Sequence, residues 1–138
     1  MEATMAMDEQ ELRIAGAGRY VHPKYGHPGP EWTDLPLAFR ATREPFVRLD
    51  GNGAAWIFGQ FNLGRFLGTT PWGEPTITDR TVRNYVSNLG LPQWRNETGP
   101  HTRGNGMAHY AACQVIRWGL DGNWRFPCEA ALKAILSA

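Results

Sequence analysis

Arg80, Arg83, Asn84 and Ser87 stand at i, i+3, i+4 and i+7, the spacing that places four side chains on one stripe of a helix. Asn88 lies beside the stripe, Thr81 lies near its start, and the stripe contains no acid. These residue types share one chemistry. Arg bonds guanine O6 and N7 in two-toothed fashion, Asn does the same with adenine N6 and N7, and Ser and Thr reach bases or phosphates. An eleven-residue helix also has a suitable length for a major groove. The stripe therefore reads as a surface for double-stranded DNA, and the plain alternative is a solvated helix face.

Charge supports the first reading locally. The net charge is only +1, but 12 of the 14 basic residues are Arg, the side chain suited to planar, bidentate contacts. Arg is also what a GC-rich genome supplies by default. Residues 1–50 carry −2 and residues 51–138 carry +3. From 80 through 125 there are six Arg against Glu97 and Asp121. Arg95 and Arg103, with Arg65 upstream, are the candidate phosphate contacts, while Arg80, Arg83, Asn84 and Ser87 are the candidate base readers.

Other groupings carry less. His101, His109, Cys113 and Cys128 form the candidate zinc set, with His109 and Cys113 at i, i+4 of an expected helix. The set lacks a C-x-x-C or H-x-x-x-H pair, so buried thiols are the expectation and no metal is assigned. His22 and His27, near Glu31 and Asp34, offer general acid–base groups. No nucleophile or phosphate-binding fingerprint accompanies them, and no catalytic residue or cofactor is assigned. The six Trp (32, 56, 72, 94, 118 and 124) are expected mainly in the core. Trp72 and Trp94, bracketing the 79–89 segment in loops, are the ones expected to set its angle or face an interface.

The elements that must position the stripe follow from punctuation and periodicity. Thr78 is a good N-cap and Asp79 suits the positive end of a helix. Val82, Tyr85, Val86 and Leu89 make the inward stripe, and Gly90, with Pro92 beyond it, ends the helix in a Schellman turn in which Leu91 meets Val86. Residues 60–67 are expected as a short helix with Phe61, Phe66 and Leu67 inward, and 69–77 as a loop. A second long helix is expected over 107–118, capped by Asn105, with Met107, Tyr110, Ala111, Val115 and Trp118 on one face. Residues 46–49 and 54–58 read as a hairpin in which Asp50-Gly51 supplies the positive φ of the turn. Residues 123–126 are expected as a short strand and 129–136 as an amphipathic helix.

The proline-rich stretch 13–45 forbids a long helix. It is expected as an extended wrapping loop anchored by Tyr20, Tyr25, Trp32 and Phe39, with a short strand near 37–40. Residues 1–12 read as a leader or short capping helix.

The segments 61–68 (Phe-Asn-Leu-Gly-Arg-Phe-Leu-Gly), 80–86 (Arg-Thr-Val-Arg-Asn-Tyr-Val) and 89–92 (Leu-Gly-Leu-Pro) together resemble the helix-turn-helix of winged-helix DNA-binding proteins. The resemblance is to the MerR-like, excisionase, terminase small-subunit and transposase N-terminal types, and covers about residues 55–120. It implies that Thr81 and Arg83 contact backbone or bases, that Tyr85 packs or reaches a phosphate, and that Arg103 stands in a wing formed by 99–106. The connection between the two helices, 68–80, is longer than in a compact helix-turn-helix. No sensing region follows, and residues 1–54 are left unexplained.

The 138 residues, 16 Gly and 10 Pro point to one compact α+β domain with many turns. It is expected as a small helical core with a winged helix-turn-helix-like unit over 55–138, short β-hairpins, and an extended Pro-rich N-terminal segment over 1–54. No apolar run is long enough to span a membrane, and residues 1–10 lack a signal-peptide layout, so a cytoplasmic protein is expected. The function expected is sequence-directed binding of double-stranded DNA without catalysis, in regulation, recombination or packaging, by a phage or mobile-element type of protein. A homodimer is plausible, because one module of this size covers little DNA. The alternative is a protein-interaction, virion-assembly or inhibitor protein that uses the aromatic 20–46 surface. A third reading is a small hydrolase around His22, His27, His101 or His109.

Overall fold

The computed structural model describes residues 5–6, 21–95 and 108–137. Over these the chain is α+β. Five strands form one sheet: β1 (Met5–Ala6), β2 (Arg48–Leu49), β3 (Ala55–Phe58), β4 (Trp94–Arg95) and β5 (Ala108–Ala111). Their spatial order is β1-β2-β3-β5-β4, with β1 parallel to β2 and every other pair antiparallel. Five α-helices accompany them: α1 (Leu37–Arg43), α2 (Gln60–Leu67), α3 (Asp79–Leu89), α4 (Ala112–Trp118) and α5 (Glu129–Leu136).

The β2–β3 hairpin forms where expected, but its turn chemistry differs. Gly53, not Gly51, takes the left-handed conformation, at φ 80°. The side chain of Asp50 organises the turn. Its Oδ1 accepts from the backbone N–H of Asn52 at 2.7 Å and of Ala54 at 3.0 Å, and its Oδ2 accepts from Trp56 Nε1 at 2.8 Å. Asp50 is thereby buried yet bonded.

β3 runs directly into α2, and α3 follows after the 68–78 connection. The expected α3 boundaries hold. Thr78 Oγ1 accepts from the Thr81 N–H at 3.2 Å, and Gly90 closes the helix at φ 71° while the Leu91 N–H reaches back to the Tyr85 carbonyl at 3.1 Å. An added Cβ at Gly90 would meet nothing within 4 Å. Gly90→Ala should therefore cost only the backbone strain of that conformation, about 1 kcal/mol, measured as a shift of the urea midpoint. A loss several times larger would mean that Gly90 also has a packing role.

Four expectations are corrected. Residues 37–40 are the start of α1, not a strand. Pro36 and Pro45 bracket a proline-free run rich in helix formers, and Pro36 itself stands at the N-cap. Residues 108–111 are the interior strand β5, between β3 and β4, rather than the first turn of a helix, and the helix begins only at Ala112. All four strand residues are buried, so the apolar pattern there suits a two-sided strand as well as a helix, and pairing with β3 and β4 decides the outcome. Residues 123–126 form no strand: Asn123 ends the helical turn Gly119–Asn123, its Nδ2 caps the Trp118 carbonyl at 2.8 Å, and the Trp124 N–H returns to the Gly119 carbonyl at 3.1 Å. Met5 and Ala6 are a strand, not part of a capping helix. The remainder of 1–12, Tyr20, Asn105 and Met107 lie outside the described residues.

One apolar cluster runs from Tyr25 to Leu136 and takes in α1, α2, α3, α4 and α5. Tyr25, Trp32 and Phe39 are the anchors of the proline-rich segment, and Phe39, Phe66 and Phe126 stack edge-to-face around 6 Å apart. On the other face of the sheet Trp56 and Ala111 form a second cluster with Phe58 and Trp94.

Candidate nucleic-acid interface

α3 touches the body of the protein along a narrow seam. Val82 is buried, and Tyr85 and Val86 are half-buried against the main cluster. Leu89, expected inward, is 46% exposed, because Gly90 and Leu91 turn the chain inward directly after it. The outer face carries Arg80, Arg83, Asn84 and Ser87, all exposed. Arg83 Nη1 donates to Gln60 Oε1 at 3.3 Å, which ties the stripe to the first residue of α2. Thr81 is half-buried, and its hydroxyl lies 3.1 Å from Thr78 Oγ1, so it serves the N-cap.

Side chains from distant segments hold both helices at their C-terminal ends. Trp118 Nε1 donates to the Leu89 carbonyl at 2.8 Å, and Trp124 Nε1 to the Leu67 carbonyl at 3.2 Å. Arg43 Nε donates to the Phe66 carbonyl at 3.0 Å. These are the carbonyls a helix end leaves unsatisfied, and the cation also suits the negative end of α2. The Arg43 guanidinium lies 4.6 Å from the Phe39 ring centroid, with Phe66 and Phe126 close by. Burial pulls its pKa down, and the neighbouring Cys128 opposes this.

Arg65, expected on phosphate, has an internal task. Its Nε donates to the Gly73 carbonyl at 3.2 Å, and its guanidinium lies over Phe46 at 4.5 Å and Phe61 at 5.3 Å. Phe61, expected inward, is 47% exposed. Arg95 is exposed on β4, which pairs with β5. Arg103 and His101, with the wing expected over 99–106, lie outside the described residues. Trp94 stands on β4 rather than in a loop, and its Nε1 donates to the fully buried Gln114 at 2.9 Å. Gln114 in turn donates to the Gly26 carbonyl at 2.7 Å.

Among the described residues the histidines and cysteines do not assemble as one ligand set, and His101 lies outside them. His109 is on β5 against Trp56 and Phe58, whereas Cys113 is on α4, so the helical i, i+4 geometry expected for them is not formed. Cys113 Sγ faces the Pro30 carbonyl at 3.5 Å, and burial pushes its thiol pKa up to about 12. Cys128 is half-buried. Among the described residues no group of three His, Cys, Asp or Glu is placed to hold a metal ion. His22 Nδ1 accepts from the Lys24 and Tyr25 N–H groups, and its pKa is lowered by burial and then by Lys24. His27 is exposed. A cleft of about 400 Å³ beside this turn is lined by Lys24, Arg117, Asp121 and Lys133. There Lys24 pairs with Asp121 at 3.2 Å and Arg117 donates to the Tyr25 and His27 carbonyls.

Comparison with protein-family models, curated proteins and solved structures gives no match. No helix among the described residues is long and apolar enough to cross a membrane.

Residue types alone did not reveal Gln60, Trp118, Trp124 and Arg43 as the side chains that fix the two helices. Each acts across at least 23 residues of sequence, and no local spacing encodes that.

Proposed function

We propose that this chain is a cytoplasmic protein that binds double-stranded DNA through the outer face of α3, as a regulator or an accessory of recombination or packaging. The observation that carries the reading is the exposure, on one helix face, of Arg80, Arg83, Asn84 and Ser87 together. That helix is capped at both ends and packed on α2 and α4 by its opposite side, while from the stripe Arg83 reaches back to Gln60 at the surface. A rigid helix with a free, acid-poor polar stripe is the form in which side chains enter a major groove. The order α2, connection, α3, β4, β5 supports a helix-turn-helix, with β4 and β5 on either side of residues 96–107, among which the expected wing residue Arg103 falls. Arg95 on β4 supplies a phosphate contact beside it. Arg65 is assigned to holding the connection instead. A homodimer would double the small footprint of one module.

Three of the aromatic side chains on which a protein-interaction surface over 20–46 would rest, Tyr25, Trp32 and Phe39, are core residues, Phe46 is half-buried, and Tyr20 lies outside the described residues. The DNA reading is the stronger one for that reason.

Fluorescence anisotropy on labelled duplex DNA across a salt series tests it. Binding should weaken steeply and linearly in log–log form as salt rises, as phosphate contacts release counterions. Absence of binding to random and genomic duplex at low salt would overturn the reading.

A further inference from the structure

Trp72 is the most exposed large apolar side chain among the described residues, at 76%, and the loop that carries it is firmly built. The Gly73 N–H bonds the Thr70 carbonyl at 2.9 Å, and the Thr70 N–H bonds the Glu74 carbonyl at 2.7 Å. Glu74 N–H also donates to Thr70 Oγ1 at 3.1 Å. Thr69 bridges Pro75, and the Thr76 N–H closes onto the Gly68 carbonyl at 3.0 Å. Arg65 clamps Gly73 from α2. Pro75 sits so close to α2 that a Cβ on Gly64 would come within 3.0 Å of it. A loop bonded this fully does not need Trp72 in solvent in order to fold. It presents the ring from a backbone whose course is settled in advance, and a preordered loop lowers the entropic cost of recognition.

The loop is continuous with the polar face of α3. Arg83 bonds Gln60, Gln60 precedes Phe61, Phe61 lies under Arg65, and Arg65 holds Gly73 next to Trp72. It also leads directly into the N-terminus of α3, the end whose residues approach base edges in a helix-turn-helix. Charge decides what the loop can contribute there. Residues 69–78 contain no cation, and Glu74 is exposed, so the loop adds no phosphate affinity of its own. What it offers is an aromatic ring.

We propose that Trp72 is a second DNA-contacting element, packing its indole against the bases or sugars of the duplex beside the groove that α3 enters. This rests on the DNA-binding reading of α3. It predicts a signature unlike that of an Arg contact, because an apolar contact releases no counterions.

The test is anisotropy on labelled duplex across the same salt series, with wild type, Trp72→Ala, Trp72→Phe and the Arg80→Ala/Arg83→Ala protein. Thermal melts would confirm that each is folded. Trp72→Ala should bind about tenfold more weakly, as expected for loss of one partly buried aromatic contact, with its salt slope unchanged. Trp72→Phe should recover most of the affinity. Wild-type tryptophan fluorescence should be quenched by DNA, and the quenching should shrink in Trp72→Phe. If Trp72→Ala binds like wild type while the double Arg variant loses binding, the Trp72 assignment falls and the α3 reading stands. If wild type does not bind duplex at all, both fall. If Trp72→Ala instead dissociates a dimer in sedimentation without changing DNA affinity, the ring belongs to a contact between copies of the chain and the assignment also falls.

Discussion

The Arg80→Ala/Arg83→Ala protein is expected to bind duplex DNA at least roughly thirtyfold more weakly than wild type. The estimate takes two contacts at about 1–3 kcal/mol each. Its salt slope should also fall, by at most about one for each of the two cations that no longer displaces counterions from the duplex. The stability of the variant should hardly change. Both side chains are exposed, and the hydrogen bond from Arg83 to Gln60 lies on the surface, where such bonds contribute little. The combination of a large affinity loss with an unchanged melting temperature is the informative outcome. Unchanged affinity and slope would identify the stripe as a solvated face, however suggestive its composition. Asn84→Ala provides a finer check, since an adenine contact would be lost without any change of salt slope.

Asp50→Ala is expected to lower unfolding free energy by about 3 kcal/mol or more, read from the urea midpoint. The carboxylate accepts three hydrogen bonds, and two of its donors, the Ala54 N–H and Trp56 Nε1, are buried. A buried donor left without an acceptor costs about 1–3 kcal/mol. Asp50→Asn keeps one acceptor oxygen and most of the shape, so it should lose less. A loss below about 1 kcal/mol in the Ala variant would mean that neighbouring groups or water replace the carboxylate. The effect would extend beyond the turn, because β3 leads straight through Gly59 into α2 and any loosening of the hairpin reaches the base of the helix pair.

Helix ends and tight turns were legible in the residues because their signals are local. Thr78 as N-cap, Gly90 as the left-handed terminus and the bounds of 60–67, 79–89 and 129–136 need only neighbours along the chain. The errors lie where burial is two-sided or pairing is distant. Ala108 to Ala111 are buried on both faces of the sheet, so their apolar pattern has no period that separates strand from helix. Phe61 and Leu89 fit an inward helical stripe by spacing, yet the tertiary seam is narrower than the stripe and leaves them out. Arg65 and Arg80 look alike as surface cations in sequence. Only the position of Gly73 and the two phenylalanine rings shows that one of them is occupied internally. For the candidate interface, the polar stripe was legible from spacing alone, whereas the presentation of Trp72 depended on hydrogen bonds that composition does not specify.

The indole and guanidinium groups at the ends of α2 and α3 also limit how portable this unit is. Residues 60–95 hold the two helices and the stripe, yet three of the groups that hold them in place, Arg43, Trp118 and Trp124, come from outside that stretch. Transplanted into another scaffold, the segment would carry its side-chain pattern but lose the groups that set the angle of its last turns. A useful chimera would have to exchange the segment from α1 to α5 as a whole.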